Sequence, residues 1–178
     1  MPERLELCAL STGPEATELF AAALAGCLQQ GDVLSLNGDL GAGKTCFTKG
    51  LGRALGVVDA ITSPTFTLAT TYDGPIRFNH LDVYRLAGPE QAQDLDLADL
   101  TEDGVTVVEW GDRIARELPE TVLRIEFEYV EFDPDPHGDG SDAHLDNHRR
   151  LYLCGYGASW SKRSHIIAAT LEPWTVPC

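Results

Sequence analysis

The chain has 178 residues, 43% of them hydrophobic and 23% charged, with a formal net charge of −15. This is globular composition, which excludes a wholly disordered chain, and the length suits one domain over residues 1–178. The acidity argues against tight unaided binding to RNA or DNA, because a polyanion is repelled by most of the surface and the only basic clusters are Arg149-Arg150 and Lys162-Arg163.

No apolar run approaches the length of about 18 residues needed to span a membrane, and Met1-Pro2-Glu3-Arg4 leads into no signal-like core. A cytoplasmic protein without membrane contact is expected. Five cysteines (Cys8, Cys27, Cys46, Cys154, Cys178) form no C-x-x-C pair and are odd in number. They read as free thiols in a reducing compartment, with no disulfide partner.

In chain order, residues 5–10 alternate as a short strand. Ser11-Thr12-Gly13-Pro14 then offers an N-cap and an early-turn proline for a helix with Leu19, Phe20, Ala23, Leu24, Cys27 and Leu28 on one face. Gly31-Asp32 ends that helix, and Val33, Leu34 and Leu36 begin a strand. It runs into Gly38-Asp39-Leu40-Gly41-Ala42-Gly43-Lys44-Thr45, with a helix-like run (Phe47, Leu51, Leu55) behind it.

The spacing G-x-x-x-x-G-K-T between a strand and a helix is a phosphate loop. Its glycines let backbone N–H groups turn inward around an anion, and the helix that follows adds the positive end of its dipole. Lys44 is expected to reach the β- and γ-phosphates, and the Thr45 hydroxyl to ligate the accompanying Mg²⁺. The nucleotide is thus expected on Asp39, Leu40, Gly41, Ala42, Gly43, Lys44, Thr45 and Cys46. Gly56 is a natural helix stop, whereas Gly50 and Gly52 lower helix propensity, so this helix must be held by packing or by ligand.

A polar loop, residues 61–67, leads to a predicted hairpin of Thr67–Tyr72 and Ile76–Asp82 around Asp73-Gly74-Pro75. Pro89–Leu100 reads as a short acidic helix and residues 105–108 as a buried strand ending at Glu109. Ile114 and Leu118 indicate one more short helix. Val122–Val130 is a predicted strand with Glu126 and Glu128 toward solvent, pairing antiparallel with Leu151–Tyr156. Residues 131–148 change composition sharply and read as an exposed flexible acidic loop. Ile166–Leu171 is ambiguous between strand and helix, and the tail 172–178, with two prolines, reads as irregular.

Hydrolysis or transfer needs more than a phosphate loop: a metal, an acid to hold it or orient water, and a sensor of the γ-phosphate. Asp82 and Glu109 each end a strand, and ligands in open α/β sheets bind outside the carboxyl ends of the strands. Both acids are therefore expected beside Lys44 and Thr45; the structural alternative for each is a carboxylate capping the next turn. Thr65 is placed like a switch threonine, or forms an ordinary ST-turn. Trp110 either walls the pocket or fills the core.

The motifs Gly38–Thr45, residues 63–68 (Ser63-Pro64-Thr65-Phe66-Thr67-Leu68), residues 80–86 beginning His80-Leu81-Asp82, and Val108-Glu109-Trp110 resemble, in order and spacing, those of the TsaE (YjeE) family of bacterial P-loop ATPases, over residues 5–130. The resemblance implies an ATPase that takes part in forming N6-threonylcarbamoyladenosine in tRNA, with TsaD and TsaB proteins as partners and tRNA reached only through their complex. It implies ATP and Mg²⁺ as ligands, phosphate on Lys44, metal on Thr45 and Glu109, hydrolysis dependent on Asp82, and a γ-phosphate response at Thr65. It also puts the nucleotide base near Ser11-Thr12. The implied fold is α/β: a P-loop NTPase with a single mixed sheet, parallel core strands flanked by helices, and antiparallel C-terminal strands. Gly111 departs from the family's usual proline, which is expected to loosen the turn after Glu109.

Two other readings compete: a small-molecule kinase, for which Arg77, Arg85, Arg113 and Arg116 are available but no lid segment is, and a nucleotide-gated interaction module. A GTPase is disfavoured because no N-K-x-D motif is present and the only D-x-x-G, Asp135–Gly138, lies in the flexible loop. That loop also imitates the opening of a calcium site at Asp133, Asp135, His137 and Gly138, but its twelfth position is His144 rather than a bidentate Glu and no helices flank it; His144 and His148 have zinc-like spacing, and a solvated linker is expected instead.

Overall fold

In the computed structural model, residues 4–64, 67–86, 97–130 and 147–178 are described. In chain order they form β1 (Leu5–Ser11), α1 (Pro14–Ala25), β2 (Val33–Gly38), α2 (Lys44–Ala54), β3 (Ala69–Tyr72), β4 (Phe78–Asp82), α3 (Leu97–Glu102), β5 (Val105–Glu109), β6 (Leu123–Tyr129), β7 (Arg149–Gly155), α4 (Ala158–Leu171) and β8 (Thr175–Val176). Short 3₁₀ turns follow β5 (Gly111–Ile114) and α4 (Glu172–Trp174).

The strands make one eight-stranded mixed sheet in the order β3-β4-β5-β2-β6-β7-β1-β8. β4, β5, β2 and β6 run parallel, while β3 pairs antiparallel with β4 and β7 antiparallel with β6 and β1. Near-continuous burial of β2 and β5 explains their unbroken apolar runs: parallel central strands are covered on both faces. On one face α1, α2 and α4 contribute Phe20, Leu24, Phe47, Leu51, Trp160 and Ile167 to a core with Leu34, Leu36, Ile125 and Phe127. The other face carries a smaller cluster around Leu81, Val108, Ile114 and Leu118.

Gly50 resolves the low helix propensity of α2. A Cβ there would lie 2.6 Å from the Glu18 carbonyl oxygen and 2.7 Å from its Cα, so the glycine is what lets α2 press against the backbone of α1. The cost of about 1 kcal/mol for a mid-helix glycine is offset by that close packing.

Several expectations are corrected. Ser11 belongs to β1, and the N-cap of α1 is Gly13 with no side-chain cap, followed by Pro14 at the first turn. Leu19 is 63% exposed, because the buried stripe of α1 runs through Thr17, Phe20, Ala21, Leu24 and Ala25. Glu126 is half-buried rather than solvated. Residues 166–171 are the end of α4.

The tail is not irregular: Val176 pairs with Cys8 on β1, adding the edge strand β8. This pairing brings Cys178 beside Cys8, with Cα atoms 5.3 Å apart and a disulfide between them. The expectation of five free thiols with no disulfide is therefore wrong, because a sequence separation of 170 residues hid the contact. Cys27, Cys46 and Cys154 are free. Among the described residues no helix is long and apolar enough to cross a membrane. Most of the acidic loop 131–148, with the calcium-like and His144 zinc-like motifs, and most of the predicted helix Pro89–Leu100 lie outside the described residues.

Candidate functional site

The phosphate loop joins the end of β2 to the start of α2. Gly41 and Gly43 have φ of 78° and 108°, a left-handed conformation that favours glycine, and the Ala42 N–H between them donates to the Asp39 carbonyl (3.1 Å). Lys44 is the first residue of α2 and is 4% exposed. Its Nζ donates to the carbonyls of Gly38 (2.6 Å) and Asp39 (2.8 Å) and stands 3.6 Å over the Trp110 ring. Burial lowers the Lys44 pKa from the ordinary lysine value, and the carboxylates of Glu109 and Asp82 oppose that shift.

Asp82 and Glu109 are direct partners in the parallel pairing of β4 with β5, so both project to the same face beside α2. Glu109 is 2% exposed and takes three hydrogen bonds. Thr45 Oγ1 donates to Oε2 (2.8 Å), Thr48 Oγ1 shares its one proton between the Lys44 carbonyl (2.9 Å) and Oε1 (3.2 Å), and His80 Nε2 lies 2.9 Å from Oε1. Asp82 accepts from Ser63 Oγ on Oδ2 (2.6 Å) and from the Tyr84 N–H on Oδ1 (3.1 Å). It therefore caps the turn after β4 and also lines the pocket that Lys44, Thr45, Glu109 and Trp110 enclose.

Trp110 answers the question about its role. With φ of 63° it adopts a left-handed conformation rare for a bulky residue, and its ring packs between Lys44 and Tyr84, 4.8 Å from the Tyr84 ring. It walls the pocket. The turn after Glu109 is not loosened by Gly111: Trp110 N–H donates to Leu36 O (2.8 Å) and Asp112 N–H to Asn37 Oδ1 (2.9 Å), pinning the turn to β2.

Of the other expected positions, Thr65 lies outside the described residues, although Ser63 from the same loop reaches Asp82. Ala42 is fully buried, Leu40 is 74% exposed, and its carbonyl accepts from the Tyr129 hydroxyl (2.9 Å). Cys46 Sγ meets the Pro14 carbonyl at 3.2 Å. This contact joins α2 to α1 beside a second, smaller cleft behind the phosphate loop, walled by Gly13, Pro14, Thr17, Asn147 and Arg149. Thr12 stands exposed next to that cleft.

Sequence reasoning gave no role to Thr48, His80, Asn147 or Arg149. Two of these carried a usable signal. His80 precedes Asp82 by two residues on a strand and so shares its face, and Thr48 follows Thr45 by one helical turn.

The family model described as threonylcarbamoyl adenosine biosynthesis protein TsaE matches residues 11–134. The tRNA threonylcarbamoyladenosine biosynthesis protein TsaE of Treponema pallidum is 50% identical over 99 residues, covering 55% of this chain and 73% of the relative. Its counterpart from Streptomyces coelicolor is 41% identical over 143 residues, 78% of this chain and 89% of the relative. The crystal structure of YdiB from Bacillus subtilis superposes with a TM-score of 0.70 at 31% identity, covering 96% of this chain and 97% of that one.

Proposed function

The chain belongs to the TsaE family, and from that premise we propose that it is the ATP-binding and ATP-hydrolysing component in the formation of N6-threonylcarbamoyladenosine in tRNA. The single observation that carries the ATPase part is the 2.8 Å hydrogen bond between Thr45 and Glu109, which joins the helix after the phosphate loop to the end of a neighbouring strand.

That pair consists of one hydroxyl and one carboxylate, hard oxygen donors of the kind Mg²⁺ takes, so the residues present fit the ion. Thr45 and Glu109 hold it, and Mg²⁺ supplies neutralisation of charge on the phosphate oxygens. The residues Asp39, Leu40, Gly41, Ala42, Gly43 and Cys46 cradle the phosphates. Lys44 exchanges the carbonyls of Gly38 and Asp39 for the β- and γ-phosphates. Asp82 orients the attacking water, Thr65 responds to the γ-phosphate, and the base lies toward Thr12 at the start of α1.

The partners in this reading are TsaD and TsaB proteins. A net charge of −15 suits a protein that docks on a complex and leaves the tRNA to it. The protein works in the cytoplasm as one domain. Calorimetry with Mg-ATP and co-purification with a TsaD–TsaB pair test the two halves separately. Heat of binding and ATP-strengthened association are expected. No heat with Mg-ATP removes the ATPase reading, and association indifferent to ATP, ADP and no nucleotide removes the coupling to the complex.

A further inference from the structure

His80 is fully buried, yet only one of its ring nitrogens is used. Nε2 meets Glu109 Oε1 at 2.9 Å, while Nδ1 has no hydrogen-bond partner among the described residues. A carboxylate acceptor at this distance requires a proton on Nε2, and Nδ1 is left buried without a partner among the described residues. Burying such an orphan is unfavourable, and an aliphatic side chain at this place in β4 would avoid it. The contact with Glu109 is what an aliphatic residue could not make.

The three donors on Glu109 divide by side. Thr48 and His80, both fully buried, take Oε1 from within the fold. Thr45, which lines the pocket, takes Oε2. The terminal torsion of a glutamate is broad and roughly two-fold, so without donors on Oε1 the carboxylate plane is free to turn. Mg²⁺ demands near-ideal octahedral geometry and tolerates a misdirected ligand poorly.

We infer that His80 is a positioning residue: together with Thr48 it anchors Oε1 of Glu109 and so presents Oε2, beside Thr45, to the cation that accompanies the nucleotide. This inference rests on the proposal that Thr45 and Glu109 hold Mg²⁺. It assigns His80 no contact with nucleotide, so it separates metal-dependent from metal-independent binding.

The test is calorimetric titration of ADP and ATP into full-length protein, with Mg²⁺ and with a chelator, for wild type, H80Q, H80L and E109A. H80Q keeps an N–H near the position of Nε2, and H80L removes it. In H80L the gain in nucleotide affinity from Mg²⁺ is expected to fall about tenfold or more, as for other groups that orient metal ligands, while affinity in chelator stays within about twofold. H80Q is expected to recover most of the gain. An H80L protein that keeps the wild-type gain while E109A loses it overturns the inference and leaves the metal site standing. If wild type itself gains nothing from Mg²⁺, the metal reading falls and the inference with it. Independently of any variant's folding, nitrogen NMR of the wild type is expected to find a proton on Nε2 of His80; a ring without a proton on Nε2 overturns the inference.

Discussion

The ammonium of Lys44 lies 3.6 Å above the indole ring of Trp110 while donating to two carbonyls of its own loop. A cation in that position is held by the ring's negative face and by the loop, so reaching a phosphate means leaving both. Trp110 emission should therefore report nucleotide binding. Titrating Mg-ATP is expected to change the intrinsic fluorescence of the wild type, and Trp110→Phe is expected to lose most of that change while still binding by calorimetry. An equal emission change in the variant would show that the signal comes from Trp160 or Trp174.

Thr45, Glu109 and Asp82 are expected to separate by readout. Thr45→Ala removes a hydroxyl that meets Glu109 Oε2 and should cost about tenfold or more in Mg²⁺-dependent nucleotide affinity. Asp82→Ala should reduce turnover about a hundredfold while changing nucleotide affinity less, as expected for a group that acts on water, whereas Glu109→Ala, which removes a metal ligand, should lower turnover about as much and also lose the Mg²⁺-dependent gain in affinity. Phosphate release and calorimetry on the same preparations check this. Wild-type turnover in Glu109→Ala would remove that residue from the mechanism.

Glu126 supplies a pH dependence whose sign is set by its surroundings. Burial, with the nearby carboxylates of Asp112 and Glu128, raises its pKa above the ordinary 4.5, against a hydrogen bond from Asn37. A raised folded-state value means that the neutral acid is favoured by folding. The contribution is present below the unfolded value and is lost as pH rises through the folded one. Glu126→Gln cannot ionise, so its melting temperature should match wild type at about pH 4 and exceed it at about pH 7. A difference that is the same at both pH values would show that the effect is packing and not charge.

The Cys8–Cys178 disulfide closes nearly the whole chain, and it lies at the β1–β8 edge, several strands from the phosphate loop. Cys8→Ser or reduction is expected to lower stability by about 2–4 kcal/mol in denaturant titrations. Nucleotide affinity should stay within about twofold, since neither Cys8 nor β8 lines the pocket of Lys44, Thr45 and Glu109. Unchanged stability on reduction would show that β8 and its neighbours hold the edge without the covalent link.

Packing of α1 against α2 through Gly50 makes a further prediction. Gly50→Ala improves helix propensity on paper by about 1 kcal/mol. Here the new methyl meets the Glu18 backbone, which cannot rotate away. Net destabilisation of about 1–3 kcal/mol is expected by thermal or urea unfolding, and a gain in stability would mean that the two helices can separate at little cost.

The parts of this protein legible from its sequence were those in which neighbouring residues carry the signal. Glycine spacing followed by Lys44 and Thr45 declares the phosphate loop, because the backbone geometry around an anion is local. The apolar run 105–108 declares a covered strand and puts Glu109 at its end, and the Asp73-Gly74-Pro75 turn declares the hairpin that delivers Asp82. What stayed hidden depends on which strand lies beside which. The approach of His80 to Glu109 follows from β4 pairing with β5 in one register, the meeting of Cys8 and Cys178 from β8 closing on β1, and the closeness of Gly50 to Glu18 from how two helices seat on the sheet. Local pattern decided the elements and the chemistry at their ends; only the packed sheet decided their neighbours, since contacts between distant residues are set by the register and burial of the whole assembly.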